Sequence, residues 1–310
     1  MMEAFTLYLV KSVAWLTGFA LVYILFLRDE RFFELNRIFL LSGIVAAMVF
    51  PFINVSYSVV LPVVTDSQSG NAVSVAVQDT TAGISKPDFS MVLLYLYLAG
   101  LLVVAFMIFR QGRSLLKVIN KAGIDPSHPV KLVKTADYPS AFSFFSYVFV
   151  NPSITEIEMR EIMNHEMVHI RQKHWFDLML VQLLCVLQWF NPVIWIYIRL
   201  VRQNHEYIAD KVALQRTSDP AIYRAALLNQ IVGSPVISLV NSFNYSLNKK
   251  RFNMMKDIIS SPYRKMKILF ILPVFAIVFY AFAKPDYQYV SQADDPGIQN
   301  LPDTFDDTNR

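Results

Sequence analysis

Three long apolar runs decide what this chain of 310 residues can become. Residues 5–27, 38–55 and 91–109 are each about long enough to cross a hydrocarbon core as a helix. A shorter run, 268–283, predicts a fourth span, with a kink at Pro273. The composition agrees, at 55% hydrophobic and 14% aromatic with mean hydropathy +0.39. That is high for a soluble protein and points to a membrane. The first run does not read as a secretory signal, because the leader Met1-Met2-Glu3-Ala4 lacks positive charge and the run is too long. Lys11 within it is expected to snorkel towards an interface.

Orientation follows from the basic residues beside each span. Arg28, Arg31 and Arg37 occupy the first link, and Arg110, Arg113, Lys117 and Lys121 follow the third span. Lys249, Lys250, Arg251, Lys256, Arg264, Lys265 and Lys267 precede the fourth. Residues 56–90 hold only Lys86, and the stretch 284–310 is acidic. The consistent solution puts the N-terminus outside, 56–90 outside, 110–267 in the cytoplasm and 284–310 outside. The basic run 249–251 is expected to face anionic headgroups rather than nucleic acid.

The cytoplasmic stretch carries Asn164-His165-Glu166-Met167-Val168-His169, a His-Glu-x-x-His pattern. Residues 155–163 before it contain no Gly or Pro and predict a helix, with cap chemistry at Asn151-Pro152-Ser153. On a helix, His165 and His169 share a face and can bind one metal ion. Glu166 can hold the activated water and take its proton. The pattern is short, so it needs a third ligand. Glu206-Tyr207-Ile208-Ala209-Asp210 supplies Glu206 as the carboxylate of a His2Glu site with an open fourth position, for which zinc is favoured. Asp210, one turn on, is placed to accept the outer N–H of a ligand His. His205 is a possible supporting or oxyanion-stabilising group. His174 is expected to point away from the metal, roughly 140° around a continuing helix. His128 falls in a Pro-flanked loop.

Residues 176–198 are apolar enough to span, but one crossing would separate Glu206 from His165. Asn191-Pro192 interrupts the run and predicts a membrane-associated hairpin over 176–200, with two arms of about 15 residues, on the order of 22 Å each. Residues 110 onward read as amphipathic helix. Residues 131–150 are rich in Val, Phe and Tyr and read as strand, either plain core or an edge to which an extended substrate can add. The single Cys185 reads as a buried hydrophobe. Two Ser-x-x-Lys matches, at Ser114 and Ser246, lack partner motifs and are coincidences. The Asn-rich stretch 241–248 reads as an exposed loop.

Taken together, these features resemble the membrane zinc metallopeptidases of the antirepressor family, which includes the β-lactam sensor-transducers. The resemblance rests on order as well as motif. Two spans flank residues 28–37, Ala141-Phe142-Ser143-Phe144-Phe145 precedes Asn151-Pro152, and His165–Arg171 follows. Then come Trp189-Phe190-Asn191-Pro192, Glu206–Asp210 and a last span. The resemblance covers about residues 1–283 and is most specific over 139–215. It implies that His165, His169 and Glu206 bind one Zn2+, that Glu166 is the catalytic base, and that Asp210 closes the second motif. Ala209 stands where relatives often have Cys. The sensors continue after the last span into a large penicillin-binding domain, whereas this sequence runs on as the acidic stretch 284–310. The peptidase is therefore implied without β-lactam sensing.

The fold expected is a mainly α integral membrane protein. Three N-terminal spans fill 1–109, with an outer loop at 56–90. A cytoplasmic gluzincin-like domain at 110–267 carries a small β element and the hairpin, and a fourth span and tail follow. The location expected is a bacterial-type inner or cell membrane. The function expected is a signalling zinc endopeptidase acting on a cytoplasmic transcriptional repressor, on itself, or on both. A constitutive quality-control or processing peptidase is the alternative within the enzyme class. A catalytically silent metal-binding receptor is the alternative outside it; Glu166 and the open fourth position argue against that one.

Overall fold

The computed structural model describes residues 2–62, 89–126, 130–232, 250–256 and 261–290. His128, residues 63–88, the Asn-rich stretch, Ser246 and residues 291–310 lie outside the described residues.

The first two apolar runs form α1 (Met2–Val22), which continues through a π-helical turn at Tyr23–Leu27, and α2 (Phe33–Val49). Trp15, Phe19 and Tyr23 pack with Phe39, Leu40 and Ile44 between them. Gly43 permits this approach, since a Cβ there would collide with the Phe19 side chain and the Tyr197 hydroxyl. Small residues at such crossings matter because lipid offers helices no hydrophobic reason to associate. The third run and its amphipathic continuation are one helix, α3 (Phe89–Ala122), of 34 residues. At about 51 Å it outruns a bilayer core. Glu3–Leu27, Phe33–Phe52 and Met91–Ala122 are long and apolar enough to cross a membrane.

The fourth run is helical in two parts. Pro262–Phe270 is a 3-10 helix, and the α-helix Ile271–Ala281 that follows has only 11 residues. Pro273 lies just past the change from 3-10 to α-helix, three residues after Phe270. Lys11 is 4% exposed, and its ammonium reaches the end of the second run, where it donates to Asn54 Oδ1 at 3.2 Å.

Among the described residues, five strands form two small sheets: β1 (Ser56–Pro62), β2 (Lys131–Lys134), β3 (Phe142–Phe144), β4 (Tyr147–Val150) and β5 (Lys284–Val290). β1 and β5 pair in parallel, from Ser56 opposite Lys284 to Pro62 opposite Val290. One strand leaves the end of α2 and the other the end of the last helix, so both chains emerge on one side. The strand character expected over 131–150 is present as β2-β4-β3, with β2 parallel and β3 antiparallel to the central β4.

After the second sheet come α4 (Glu156–Arg171), α5 (His174–Leu187), α6 (Pro192–Arg216) and α7 (Pro220–Val232). The cap of α4 is Thr155, in a reciprocal capping box with Glu158, rather than Asn151–Ser153. Asn151 Oδ1 instead accepts from the Ser153 N–H at 3.0 Å and turns the chain into the helix. Leu132, Val148 and Val150 of the sheet bury Ile162 of α4. Each such side chain contributes about 1.5–3 kcal/mol. On its other side α4 meets α6 through Val168, Ile208 and Ala209, so its height between sheet and α6 is fixed.

The hairpin breaks where Asn191-Pro192 predicts. Asn191 Oδ1 accepts from the Val193 N–H at 2.9 Å, and Pro192 occupies the first helical position, where no N–H is needed. The arms are unequal, however. α5 has 14 residues, whereas α6 runs 25 without a break and carries Glu206 and Asp210 on its second half. The turn between them lies against the apolar helices. Gln188 Nε2 donates to Ser12 Oγ at 2.6 Å, Tyr97 O–H donates to the Leu187 carbonyl at 2.9 Å, and Trp189 Nε1 donates to the Tyr97 carbonyl at 3.2 Å. The polar groups of the turn are thus satisfied within the protein.

Candidate metal centre

His165 and His169 lie one turn apart on α4, facing Glu206 on α6. The two Nε2 atoms are 3.2 Å apart, with Glu206 Oε2 3.4 Å from His165 Nε2 and Oε1 3.6 Å from His169 Nε2. Donors bonded at about 2.0–2.1 Å in a tetrahedron sit roughly 3.3–3.4 Å from one another. The three residues therefore already have the spacing of one face of such a site, and they could hold a metal ion.

Each histidine has a partner behind it that fixes its ring. His165 Nδ1 is 2.8 Å from the Tyr223 hydroxyl, which donates to Asp210 Oδ1 at 2.8 Å. Asp210 thus supports His165 mainly through Tyr223, its own oxygen being 3.4 Å from the ring. His169 Nδ1 is 2.7 Å from His174 Nδ1, and His174 Nε2 is 3.3 Å from Gln172 Oε1. One tautomer assignment satisfies the chain. With Nε2 of each ligand turned to the metal position, His165 donates to Tyr223, His169 donates to His174, and His174 donates to Gln172.

The expectation that His174 points away is therefore corrected. α4 stops at Arg171, Lys173 takes a left-handed conformation (φ 54°), and His174 opens α5 on a new axis that brings it back. His205 stacks on His174, with centroids 4.1 Å apart and planes within 2°, and its Nε2 is 2.8 Å from Asp177 Oδ2. With Nε2 engaged by Asp177 and the ring buried, His205 sits behind the ligands as a support. Arg37 completes this layer, donating to Asp177 at 2.7 and 3.1 Å and to the Gln172 carbonyl at 2.8 Å.

Arg251 is the largest correction. It belongs to the basic run expected at the headgroups, yet its side chain is 14% exposed and turned inward. It donates through Nε and Nη2 to both oxygens of Asp210, at 2.9 and 2.7 Å, and lies 3.0 Å from Glu206 Oε2 through Nη1. Burial alone would raise Glu206, but Arg251 and then the hydrogen bond with His165 outweigh it and hold that carboxyl well below the usual range. Burial pushes His169 down to about 3, leaving it neutral, the form that ligates metals. Glu166 is 6% exposed; burial raises its carboxyl, against the nearby His165 and a hydrogen bond with Ser143 of β3.

His165, Glu166, His169, Glu206 and Asp210 are thus gathered in one place. Tyr223, Arg251, Asp177 and Arg37 join them without having been singled out. Tyr223 and Arg251 had no local motif to mark them, lying respectively on an ordinary amphipathic helix and in a charge run.

Comparison with known proteins bears on this arrangement. No curated protein matches the chain. The family model described as BlaR1 peptidase M56 matches residues 32–255, from the link between the first two helices to the segment bearing Arg251, and it takes in every residue of the cluster. The apolar helices and this match together make the chain a membrane protein that belongs to the BlaR1 peptidase M56 family of metallopeptidases.

Proposed function

We propose that this protein is a zinc endopeptidase of the cytoplasmic membrane surface, acting in signal transduction on a cytoplasmic transcriptional repressor, on its own chain, or on both. The observation that carries it is the near-tetrahedral spacing of His165, His169 and Glu206 with Glu166 buried beside them. A zinc ion bound there supplies Lewis acidity, polarising the scissile carbonyl and acidifying the attacking water. Glu166 takes the proton of that water and passes it to the leaving amine. His165 and His169 keep their rings fixed through Tyr223 and His174. Beside Glu166, β3 forms the edge of the sheet, and an extended peptide adding to it lies along α4.

The basic flanks of the spans support a cytoplasmic position for 110–267. The pairing of β1 with β5 supports this reading, since it needs both strands on the same side. The test is chelation of the full-length protein in detergent. As purified it carries about one zinc and cleaves itself or a co-expressed repressor. After chelation both zinc and cleavage are lost, and zinc alone restores them. Cleavage that survives complete removal of metal would sink the proposal.

Tyr223→Phe isolates one support. It deletes the hydroxyl between His165 and Asp210 and leaves both in place. Zinc affinity, measured by competition with a chromogenic chelator, should fall by about tenfold or more. Wild-type affinity would mean that His165 is held by Asp210 directly.

A further inference from the structure

Arg251 spans two carboxylates that lie one turn apart on α6, one of them a ligand of the proposed metal. Its fork grips both oxygens of Asp210, and its remaining nitrogen meets Glu206 Oε2. This grip constrains how the Glu206 carboxylate is presented to the two imidazoles. Asp210, held by the same guanidinium, orients the Tyr223 hydroxyl and through it His165. One side chain therefore stands behind two of the three ligands.

The segment carrying Arg251 is itself held by the link between α1 and α2. Residues 250–254 are helical. Arg31 donates to the carbonyls at the C-terminal end of that turn, to Asn253 at 3.3 Å and to Lys256. A cation there satisfies carbonyls that the helix leaves open. The neighbouring Glu30, 3% exposed, pairs with Lys267 at 2.6 Å and Arg264 at 3.5 Å on the approach to the last helix. Phe32 lies under the Lys265 ammonium, 5.2 Å from its ring centroid. Three consecutive positions, 30 to 32, thus fasten the chain on both the Arg251 side and the last-helix side.

We propose that Arg251 is a positioning residue for the metal centre, and that Arg31 on the α1–α2 link keeps it in place. The ligand geometry is then coupled to the link between the first two apolar helices. A displacement of the link relative to α6 withdraws Arg251 and loosens Glu206 and His165 together. The proposal deepens the metallopeptidase reading and rests on it.

The test measures zinc affinity of the full-length protein in detergent by chelator competition, alongside thermal unfolding of the zinc-free form. Arg251→Ala should weaken zinc binding by about tenfold or more. Arg251→Lys should not rescue it, because a point charge on a flexible stem cannot bridge two carboxylates as a planar fork does. Arg31→Ala, which touches no ligand, should weaken binding in the same direction by a smaller factor. It should have no further effect in an Arg251→Ala background, since Arg31 acts on the ligands through Arg251. Wild-type affinity in Arg251→Lys, or additive losses in the double variant, would overturn the proposal. So would a lower unfolding temperature with unchanged zinc affinity, the mark of a merely structural role. If the wild-type protein itself binds no zinc, the metallopeptidase reading fails; if it binds zinc and Arg251→Ala binds it equally well, only the present inference fails.

Discussion

Glu166→Gln is expected to lower peptide cleavage by about 10²–10⁴-fold while leaving zinc content unchanged. The amide nearly matches the carboxylate in shape, so the buried position stays filled, but it cannot accept a proton from water. His165, His169 and Glu206 are untouched, so metal retention separates loss of the base from loss of the site. Paired metal analysis and cleavage of a co-expressed repressor, wild type against variant, provide the measurement. Cleavage at the wild-type rate would remove Glu166 from the chemistry. Zinc lost along with activity would mean that Glu166 supports the ligands instead of acting on water.

Arg37→Met carries the largest expected effect on stability. Asp177 is 2% exposed and receives two hydrogen bonds from Arg37 and one contact from His205. Removing the guanidinium leaves a buried carboxylate without its countercharge, a change that costs about 3 kcal/mol or more. For a chain of this size that lowers the unfolding midpoint by roughly 5 °C. Arg37→Met combined with Asp177→Asn should recover part of the loss, since Asn can still meet His205 without a charge. An unchanged midpoint in Arg37→Met would mean that Arg37 contributes only its positive charge near the membrane.

Much of this architecture was legible in the residues because it depends on local spacing. Two histidines four apart on a Gly- and Pro-free stretch must share a helical face, and Asn191-Pro192 can only interrupt a helix. Glu206 followed, since the chain had to return to the histidines to complete the site. What escaped notice depends on distant partners or on small backbone choices. Nothing beside Tyr223 or Arg251 announces that each meets Asp210. His174 was misplaced because helical periodicity was carried through Gln172-Lys173, where a single left-handed residue redirects the chain without a Gly or Pro to mark it. The pairing of β1 with β5 joins opposite ends of the sequence and leaves no local trace.

That pairing has a mechanical consequence. Two parallel strands that leave their helices in the same direction are loaded in shear when their far ends and their helices are pulled apart. All rungs from Ser56–Lys284 to Pro62–Val290 then bear the load together, and none can be peeled off first. Tension applied to the chain beyond β5 is shared with α2, which carries Arg37, and so with the link that carries Arg31. Such a clasp holds until it slips all at once.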